Sequence, residues 1–197
     1  MRGPPERVGA IVLAGGRSSR FGRDKLTAKI GGRPMLDLAI DAVRVVATDI
    51  VVVTVPDGSP SLSPEVTIAH DARAFEGPLA GLAAGLAAFD PSVRRAIVVG
   101  GDMPSLVPPV LARMLDELAS ADVVVLEIDD GPRPLPMAFR PVVVRPLIDR
   151  LLSAGERRLR ALLTDVRVVV LDQATWRQDD PDGASLRDVD VPEDLSG

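Results

Sequence analysis

Residues 8–25 read VGAIVLAGGRSSRFGRDK, an apolar run followed directly by a loop that is rich in glycine and arginine. The part Gly9–Ala14 has the length and the apolar content of a buried strand. Similar runs recur along the chain, and stretches with helical spacing of apolar residues lie between them. Strands that alternate with helices predict an α/β fold, with a mostly parallel sheet that helices cover on both faces.

The other predicted elements follow the same alternation. Further buried strands are predicted at Ile50–Val55, Val66–Ala69, Ala96–Gly100, Val123–Leu126 and Val166–Leu171. Amphipathic helices are predicted at 36–43, 79–86, 107–118 and 143–151, because apolar residues recur there three or four positions apart. Residues 172–188 are polar and irregular and receive no assignment. The chain has 197 residues and no linker long enough to separate domains, so we expect a single domain.

The composition excludes several classes of protein. A net charge of −5 gives no global basic field, so neither nucleic acid nor an anionic membrane is an expected partner. The absence of cysteine excludes disulfides, a thiolate nucleophile and zinc–thiolate sites. The first apolar run is too short to span a membrane and the start of the chain lacks a signal-peptide core, which favours a cytoplasmic protein.

The loop 13–25 has the features of a phosphate-binding segment. Its three glycines let the backbone approach a ligand, and successive free N–H groups in such a loop form an anion nest. It also concentrates positive charge in an acidic protein, at Arg17, Arg20, Arg23 and Lys25. The loop matches neither the Walker A pattern nor G-x-G-x-x-G. A triphosphate needs both backbone donors and cations, although a solvated basic turn has the same composition.

Two more segments follow predicted strands, where open parallel sheets bind their ligands. Asp102 comes directly after the strand 96–100, in the sequence Gly100-Gly101-Asp102-Met103-Pro104. A carboxylate beside a triphosphate suits Mg²⁺, which is usually held by one or two carboxylates and substrate phosphates. The alternative for Asp102 is a turn or a cap for the next helix. Asp71 follows the strand 66–69, and its alternative is an ordinary surface loop residue.

The loop resembles the signature of the MobA-like nucleotidyltransferases, in the form Leu-Ala-Gly-Gly-x-Ser-x-Arg-Phe-Gly-x-Asp-Lys over residues 13–25. That family contains molybdenum cofactor guanylyltransferases and related cytidylyltransferases. The resemblance implies a three-layer, Rossmann-like fold of the nucleotide-diphospho-sugar transferase type, with a nucleotide-binding half at about 8–106 and an acceptor-binding half at about 107–197. It implies nucleotide contacts from Leu13, Ala14, Gly15 and Gly16, and triphosphate contacts from Arg20 and Lys25.

The resemblance also implies the reaction and its metal. GMP would pass from GTP to the phosphate of molybdenum–molybdopterin, with Mg²⁺ bound and pyrophosphate released. Asp102 lies in a segment that resembles the family's Asp-x-Pro metal motif, which gives it a catalytic, nucleotide-binding and metal-binding role. Asp190 lies in a segment that resembles the closing motif and would be a second metal ligand. Its alternative role is the N-terminal cap of a last short helix.

Residues 71–81 resemble the second nucleotide-binding motif of the family and bear on the choice of base. Asp71, Gly77 and Pro78 would lie at the nucleotide, and the Asp71 carboxylate can accept paired hydrogen bonds from guanine. Cytidylyl relatives usually carry Leu-Ala-Ala-Gly, so Gly15 favours GTP over CTP. His70, the one histidine of the chain, is expected to be a packed polar residue rather than a catalyst.

Residues 129–137 and 155–160 resemble the acceptor-binding half of the same family. Gly131, Pro136 and Arg157 would lie near the pterin phosphate. The alternative for the arginines at 157–160 is a solvated helix face on which Glu156 pairs with Arg160 at i,i+4.

The sequence is compatible with three functions. The first is the guanylyltransferase, and the second is a CTP-dependent cytidylyltransferase that acts on molybdopterin or another alcohol phosphate. The third is a nucleotide-binding module without turnover, whereas an oxidoreductase is excluded because the dinucleotide fingerprint is missing. The resemblance is compatible with a monomer and with a transient partner that delivers molybdopterin or receives the product.

Overall fold

The computed structural model describes residues 7–15, 28–55, 64–70, 77–129 and 131–187. The strands within these ranges are β1 (Arg7–Leu13), β2 (Lys29–Ile30), β3 (Arg33–Pro34), β4 (Asp49–Thr54), β5 (Val66–His70), β6 (Val93–Gly100), β7 (Val123–Ile128), β8 (Gly131–Phe139) and β9 (Val168–Leu171). The helices are α1 (Met35–Arg44), α2 (Pro78–Ala88), α3 (Pro108–Glu117), α4 (Pro141–Ser153) and α5 (Gln173–Trp176), with short 3-10 helices at Leu159–Leu163 and Ala184–Leu186. No helix in these ranges is both long and apolar enough to cross a membrane.

Seven strands form one sheet in the order β5-β4-β1-β6-β8-β7-β9. β1 pairs in parallel with β4 and β6, β4 pairs in parallel with β5, and β7 pairs in parallel with β9. β8 runs antiparallel between β6 and β7. The predicted mostly parallel α/β fold is confirmed, and the carboxyl ends of β1, β4, β5 and β6 lie at the same edge of the sheet.

Helices cover both faces of this sheet, which makes three layers. One apolar core lies between the sheet and α1, α3 and Trp176. The other lies between the sheet and α2, α4 and the 3-10 helix at 159–163. Most of the residues that predicted the helices are buried, because an apolar stripe is stable only when it packs against another layer.

β8 is the main departure from the predicted elements. Its first six residues contain prolines at 132, 134 and 136, and proline cannot donate to a sheet ladder, so the sequence gives no strand signal there. In the structure Val125 pairs with Met137 whereas Leu126 pairs with Arg133. Residues 134–136 therefore form a bulge, and the two prolines in it occupy positions where no ladder hydrogen bond is needed. The hairpin of β2 and β3 was also not predicted.

Residues 172–187, which received no assignment from the sequence, are held by side-chain hydrogen bonds. Trp176 is fully buried, and its Nε1 donates to the carbonyl oxygen of Glu127 at 3.0 Å. The buried Asp180 carboxylate accepts from the backbone N–H groups of Ala184 and Ser185 at 2.9 and 2.8 Å. Ser185 Oγ in turn accepts from Val107 N at 2.9 Å, which ties this segment to the start of α3. Polar capping of this kind has no apolar periodicity, so the pattern of the sequence does not reveal it.

Candidate active site

The loops that follow β1 and β6 leave the sheet side by side. Leu13 pairs with Gly100 in the register of the two strands, and the Gly101 N–H donates to the Leu13 carbonyl oxygen at 2.9 Å. On the other side of β1, the Ala14 N–H donates to the carbonyl oxygen of Val53 at 2.8 Å. The start of the predicted phosphate loop is therefore hydrogen-bonded to both neighbouring strands, beside the segment that carries Asp102.

The turn after β6 depends on glycine at position 100. A Cβ at Gly100 would overlap Asp102 Oδ1, so the carboxylate folds back over this Cα. The Met103 N–H donates to the Gly100 carbonyl oxygen at 3.2 Å. The Met103 side chain is buried in the apolar core, which anchors the turn to the rest of the protein. The half-buried Asp102 carboxylate is thereby kept at the carboxyl end of β6.

The donor set at this edge fits Mg²⁺ that is bound together with a phosphate substrate. Within the described ranges, no three His, Asp or Glu side chains come together as an all-protein metal site. Mg²⁺ does not require one, because it commonly keeps water and phosphate ligands and takes one or two carboxylates from the protein. Asp102 is a carboxylate of this kind, fixed by its turn at the end of a parallel strand.

Helix α2 reaches the same edge because glycines let it lie close to β1. A Cβ at Gly85 would lie 2.8 Å from Ile11 Cγ2, and one at Gly81 would lie 3.2 Å from Leu13 Cδ2. The helix therefore needs glycine on the side that faces the strand. Gly77, with a φ of 96°, and Pro78 begin this helix at the end of β1. The positive end of the helix dipole at such a start favours anions.

Gly15 lies at the same edge and is exposed. A Cβ at this position would lie 3.8 Å from Val55 Cγ1, which is an ordinary contact. The fold of the described residues therefore tolerates a methyl group here. If alanine changes the choice of nucleotide, the reason lies in the ligand and not in the packing of the protein.

The predicted acceptor residues Gly131 and Pro136 lie at the start of β8 and at the end of its bulge. Met137 pairs with Val98, two residues before β6 ends at Gly100, so Pro136 reaches the level of the carboxyl edge. Gly131, with a φ of 107°, pairs with Ile128 at the far end of the hairpin formed by β7 and β8. The register thus brings Pro136 to the side of the sheet that carries Asp102, and Gly131 lies farther out on the hairpin.

Arg157 contacts the helix start directly, which the sequence did not predict. A Cβ at Gly77 would lie 3.0 Å from both Cβ and the carbonyl oxygen of Arg157. The Leu79 N–H donates to the same carbonyl oxygen at 3.2 Å. Nη1 of Arg157 donates to the carbonyl oxygen of Leu152 near the end of α4 and to that of Glu156 in the following loop. The structure therefore joins a predicted acceptor residue to a predicted nucleotide residue.

The alternative pairing of Glu156 with Arg160 on a helix face is wrong. Residues 156–158 are not helical, and the 3-10 helix begins at Leu159. Glu156 instead pairs with Arg158, with Oε1 to Nε at 3.0 Å and Oε2 to Nη2 at 2.9 Å. The Arg158 guanidinium and the backbone N–H groups of Arg158 and Arg157 lower the pKa of Glu156 to about 2.

The comparison with protein families agrees with this geometry. The model of the MobA-like NTP transferase domain matches residues 10–171, which include all the described residues of the candidate site. The chain belongs to the MobA-like nucleotidyltransferase family. It is therefore a nucleotidyltransferase, and the resemblance of the loop 13–25 to this family is confirmed.

Individual relatives of this MobA-like enzyme cover nearly the whole chain. The molybdenum cofactor guanylyltransferase of Desulfosudis oleivorans is 30% identical over 194 residues, 96% of this chain and 93% of the relative. The solved structure of molybdopterin-guanine dinucleotide biosynthesis protein A of Archaeoglobus fulgidus has a TM-score of 0.79 and 23% identity, over 95% and 94% of the two chains. The 4-diphosphocytidyl-2C-methyl-D-erythritol synthase of Anaerococcus prevotii has a TM-score of 0.74 and 17% identity, over 96% and 95%. Both solved structures share the fold of the MobA-like chain.

Some predicted site residues of the MobA-like chain lie outside the described residues. They are Gly16, Arg20, Lys25, Asp71 and Asp190, and their roles stay predictions. His70 was expected to be a packed polar residue; in the structure its ring is exposed, and its Nδ1 lies 3.2 Å from Oγ1 of the buried Thr54. Sequence reasoning missed Gly100 and Glu156, and only the adjacent pair Gly100-Gly101 before Asp102 signalled a tight turn.

Proposed function

We propose that this enzyme transfers GMP from GTP to the terminal phosphate of molybdenum–molybdopterin in a Mg²⁺-dependent reaction that releases pyrophosphate. The observation that carries the proposal is the convergence of Leu13, Gly77 and Asp102 at one edge of the sheet. A nucleoside triphosphate requires backbone donors and a carboxylate-bound cation within a few ångströms of each other. The relative from Desulfosudis oleivorans supports the choice of GTP and of the acceptor through its name.

The proposed reaction is one in-line displacement at the α-phosphorus. A phosphate oxygen of the acceptor forms the new phosphorus–oxygen bond while the bond between the α-phosphorus and the bridging oxygen breaks. The leaving pyrophosphate takes the electron pair of that bond. A phosphate monoester is already largely ionised near pH 7, so no side chain has to act as general base. The protein contributes positioning and electrostatic stabilisation.

Each part of the site has a separate task in this reaction. Asp102 would hold Mg²⁺, which when bound supplies positive charge to the triphosphate oxygens. The backbone at Leu13–Gly15 and the start of α2 would bind and orient the nucleotide. Arg20 and Lys25 would neutralise the charge that grows on pyrophosphate, as the family resemblance implies.

The preference for GTP over CTP rests on Gly15 and on the names of the relatives. The fold does not decide between the two, because the solved structure of a diphosphocytidyl synthase shares it. A glycine, with one methyl group less than alanine, would leave room for the edge of the larger purine. Asp71 would add specificity by accepting hydrogen bonds from guanine.

A panel of α-labelled nucleotides tests the proposal. The purified enzyme is incubated with molybdenum–molybdopterin, Mg²⁺ and labelled GTP, CTP, ATP or UTP in turn, and label in the dinucleotide product is measured together with pyrophosphate. We expect transfer from GTP to exceed transfer from CTP by at least roughly tenfold, because even a difference of one methylene group between substrates typically gives that much. Faster transfer from CTP would make the enzyme a cytidylyltransferase. Tight binding of GTP without pyrophosphate release would make it a binding module.

A further inference from the structure

The loop Gly155–Arg158 holds the start of helix α2 from outside that helix. Leu79 N, which has no partner within its own helix, donates to the Arg157 carbonyl oxygen at 3.2 Å. The Arg157 Cβ and carbonyl oxygen lie so close to Gly77 that a Cβ there would be 3.0 Å from both, which is tighter than most real contacts. The loop and the helix start are nearly 80 residues apart in the chain, so this contact is made only in the folded protein.

The carboxylate of Glu156 fixes the conformation of that loop. Oε1 accepts from the backbone N–H groups of Arg157 and Arg158 at 2.8 and 2.9 Å. The same carboxylate accepts from Nε and Nη2 of Arg158. The Glu156 N–H donates to the Leu151 carbonyl oxygen at 2.9 Å, which anchors the loop to the end of α4. Since both N–H groups around Arg157 are directed at one side chain, the direction of the Arg157 carbonyl is set by Glu156.

We propose that Glu156 is a positioning residue that sets the nucleotide-binding start of α2 through the backbone of Arg157, an inference that rests on the proposed function. Its carboxylate makes its hydrogen bonds within its own loop and acts on Gly77 and Leu79 only through Arg157. The same loop carries the predicted acceptor residue. One carboxylate thus fixes the spacing between the predicted nucleotide and acceptor contacts.

Positioning and simple electrostatics predict opposite results when the charge of Glu156 is removed. A negative charge near an anion site repels the triphosphate, so its loss alone would strengthen nucleotide binding. If Glu156 instead orders the loop, its loss lets the Arg157 carbonyl turn away from Leu79 and weakens nucleotide binding. The sign of the change in affinity therefore separates the two roles.

The chain offers a matched control at the other end of the sheet. Asp122 precedes β7 and accepts from the backbone N–H, Nε and Nη2 of Arg167, which is the same set of donors that Glu156 receives from Arg158. Asp122→Asn removes an equivalent carboxylate–arginine pair far from the candidate site. A general loss of stability would affect both variants, whereas loss of positioning would affect only the variants of Glu156.

The experiment uses the full chain and three variants, Glu156→Gln, Glu156→Ala and Asp122→Asn. Amide hydrogen exchange at Leu79 is measured in the free protein, and the dissociation constant for the Mg²⁺ complex of the tightest-binding nucleotide among GTP, CTP, ATP and UTP is measured by calorimetry. We expect faster exchange and weaker binding in Glu156→Gln by roughly threefold to tenfold, about the value of one hydrogen bond, and a larger loss in Glu156→Ala. Asp122→Asn should match the wild type in both measurements.

Each other outcome overturns the inference in a recognisable way. Unchanged exchange at Leu79 in Glu156→Gln would show that the carboxylate does not hold the helix start. Faster exchange with unchanged or tighter nucleotide binding would show that the helix start does not need this support to bind the nucleotide. A wild-type enzyme that binds none of the four nucleotides would overturn the proposed function itself, and this inference with it.

Discussion

The two ends of the mostly parallel sheet, the amino edge where the parallel strands begin and the carboxyl edge where they end, use carboxylates and glycines in different ways. At the amino edge, Asp90 accepts from Ser92 and Arg7, and Asp122 accepts from Arg167. These carboxylates bind other parts of the same chain and fasten the strand starts together. At the carboxyl edge, glycines bring backbone segments close together, and Asp102 lies on one of the tight turns that result.

This difference separates groups that stabilise the fold from groups that are proposed to serve the reaction. Side-chain hydrogen bonds from Ser92 hold the pKa of Asp90 below its usual range, and those from Arg167 do the same for Asp122. Both carboxylates are therefore charged partners within the fold at neutral pH. Substitutions at the amino edge should lower stability and spare turnover, whereas substitutions at the carboxyl edge should lower turnover and change stability little.

The largest expected effect is that of Asp102→Asn at the carboxyl edge. Loss of the carboxylate removes the proposed protein ligand of Mg²⁺, so the rate of pyrophosphate release should fall roughly 10²–10³-fold, as for other preorganised charge contacts. The free energy of unfolding should change by less than about 1 kcal/mol. Initial rates and urea unfolding measure the two quantities. A rate within twofold of the wild type would remove Asp102 from the mechanism.

Gly100→Ala should displace the Asp102 carboxylate while the carboxylate itself is retained. The new methyl group would overlap Asp102 Oδ1, so the side chain has to rotate away from the end of β6. Turnover should fall by roughly 10²-fold, since a displacement of about 1 Å at a reacting group can cost that much. The same rate assay applies. Full activity would mean that the folded-back position of Asp102 is unimportant.

Gly9→Ala is the matched substitution at the amino edge. Its Cβ would lie 2.6 Å from Phe89 Cζ and 2.9 Å from Val93 Cγ1, inside the core. Overpacking of this kind should cost about 1–3 kcal/mol of unfolding free energy. The turnover number per folded molecule should remain at the wild-type value, and a specific loss of turnover would contradict the division between the edges.

Gly15→Ala tests whether the carboxyl edge selects the base. The fold accepts this methyl group at an ordinary distance from Val55, so the melting temperature should not change. We expect kcat/KM for GTP to fall roughly tenfold relative to kcat/KM for CTP, the usual scale for one methyl group in a pocket. An equal loss for both nucleotides would show that residue 15 does not contact the base.

The smallest expected effect is a pH dependence at the amino edge. Because the pKa of Asp122 is lowered by folding, its stabilising contribution is present above the unfolded pKa, about 3.9, and is lost as the pH falls through the folded pKa. The difference in unfolding free energy between the wild type and Asp122→Asn should therefore be largest near pH 7 and shrink below about pH 4. Urea unfolding at a series of pH values measures it. A difference that grows in acid would contradict this sign.

The local patterns of the sequence predicted the scaffold of the site. Continuous apolar runs predicted β1, β4 and β6, and apolar spacing predicted the buried sides of α1 and α3, because burial on a sheet imposes these periods. The rule that ligands lie beyond strand ends predicted the loops after Leu13 and Gly100 as candidate site segments, and the structure places these loops side by side.

The features that the sequence did not reveal depend on contacts between distant segments. β8 is a strand because it pairs with β6 on one side and β7 on the other, although its three prolines weaken the strand signal in the sequence. The approach of Arg157 to Gly77 depends on how α4 ends and on a carboxylate that receives two backbone N–H groups. Such contacts leave no periodic trace in one sequence, so only the folded chain shows them.

The most direct test of the account compares amide hydrogen exchange of the wild-type enzyme with and without saturating Mg²⁺ and GTP. We expect protection at Gly15, Gly77, Leu79 and Gly101–Met103, and no change at the amino-edge amides of Asp90, Ser92 and Arg167. Protection at the amino edge, or unchanged exchange at the carboxyl edge with GTP bound, would contradict the central claim that the nucleotide lies across the ends of β1 and β6.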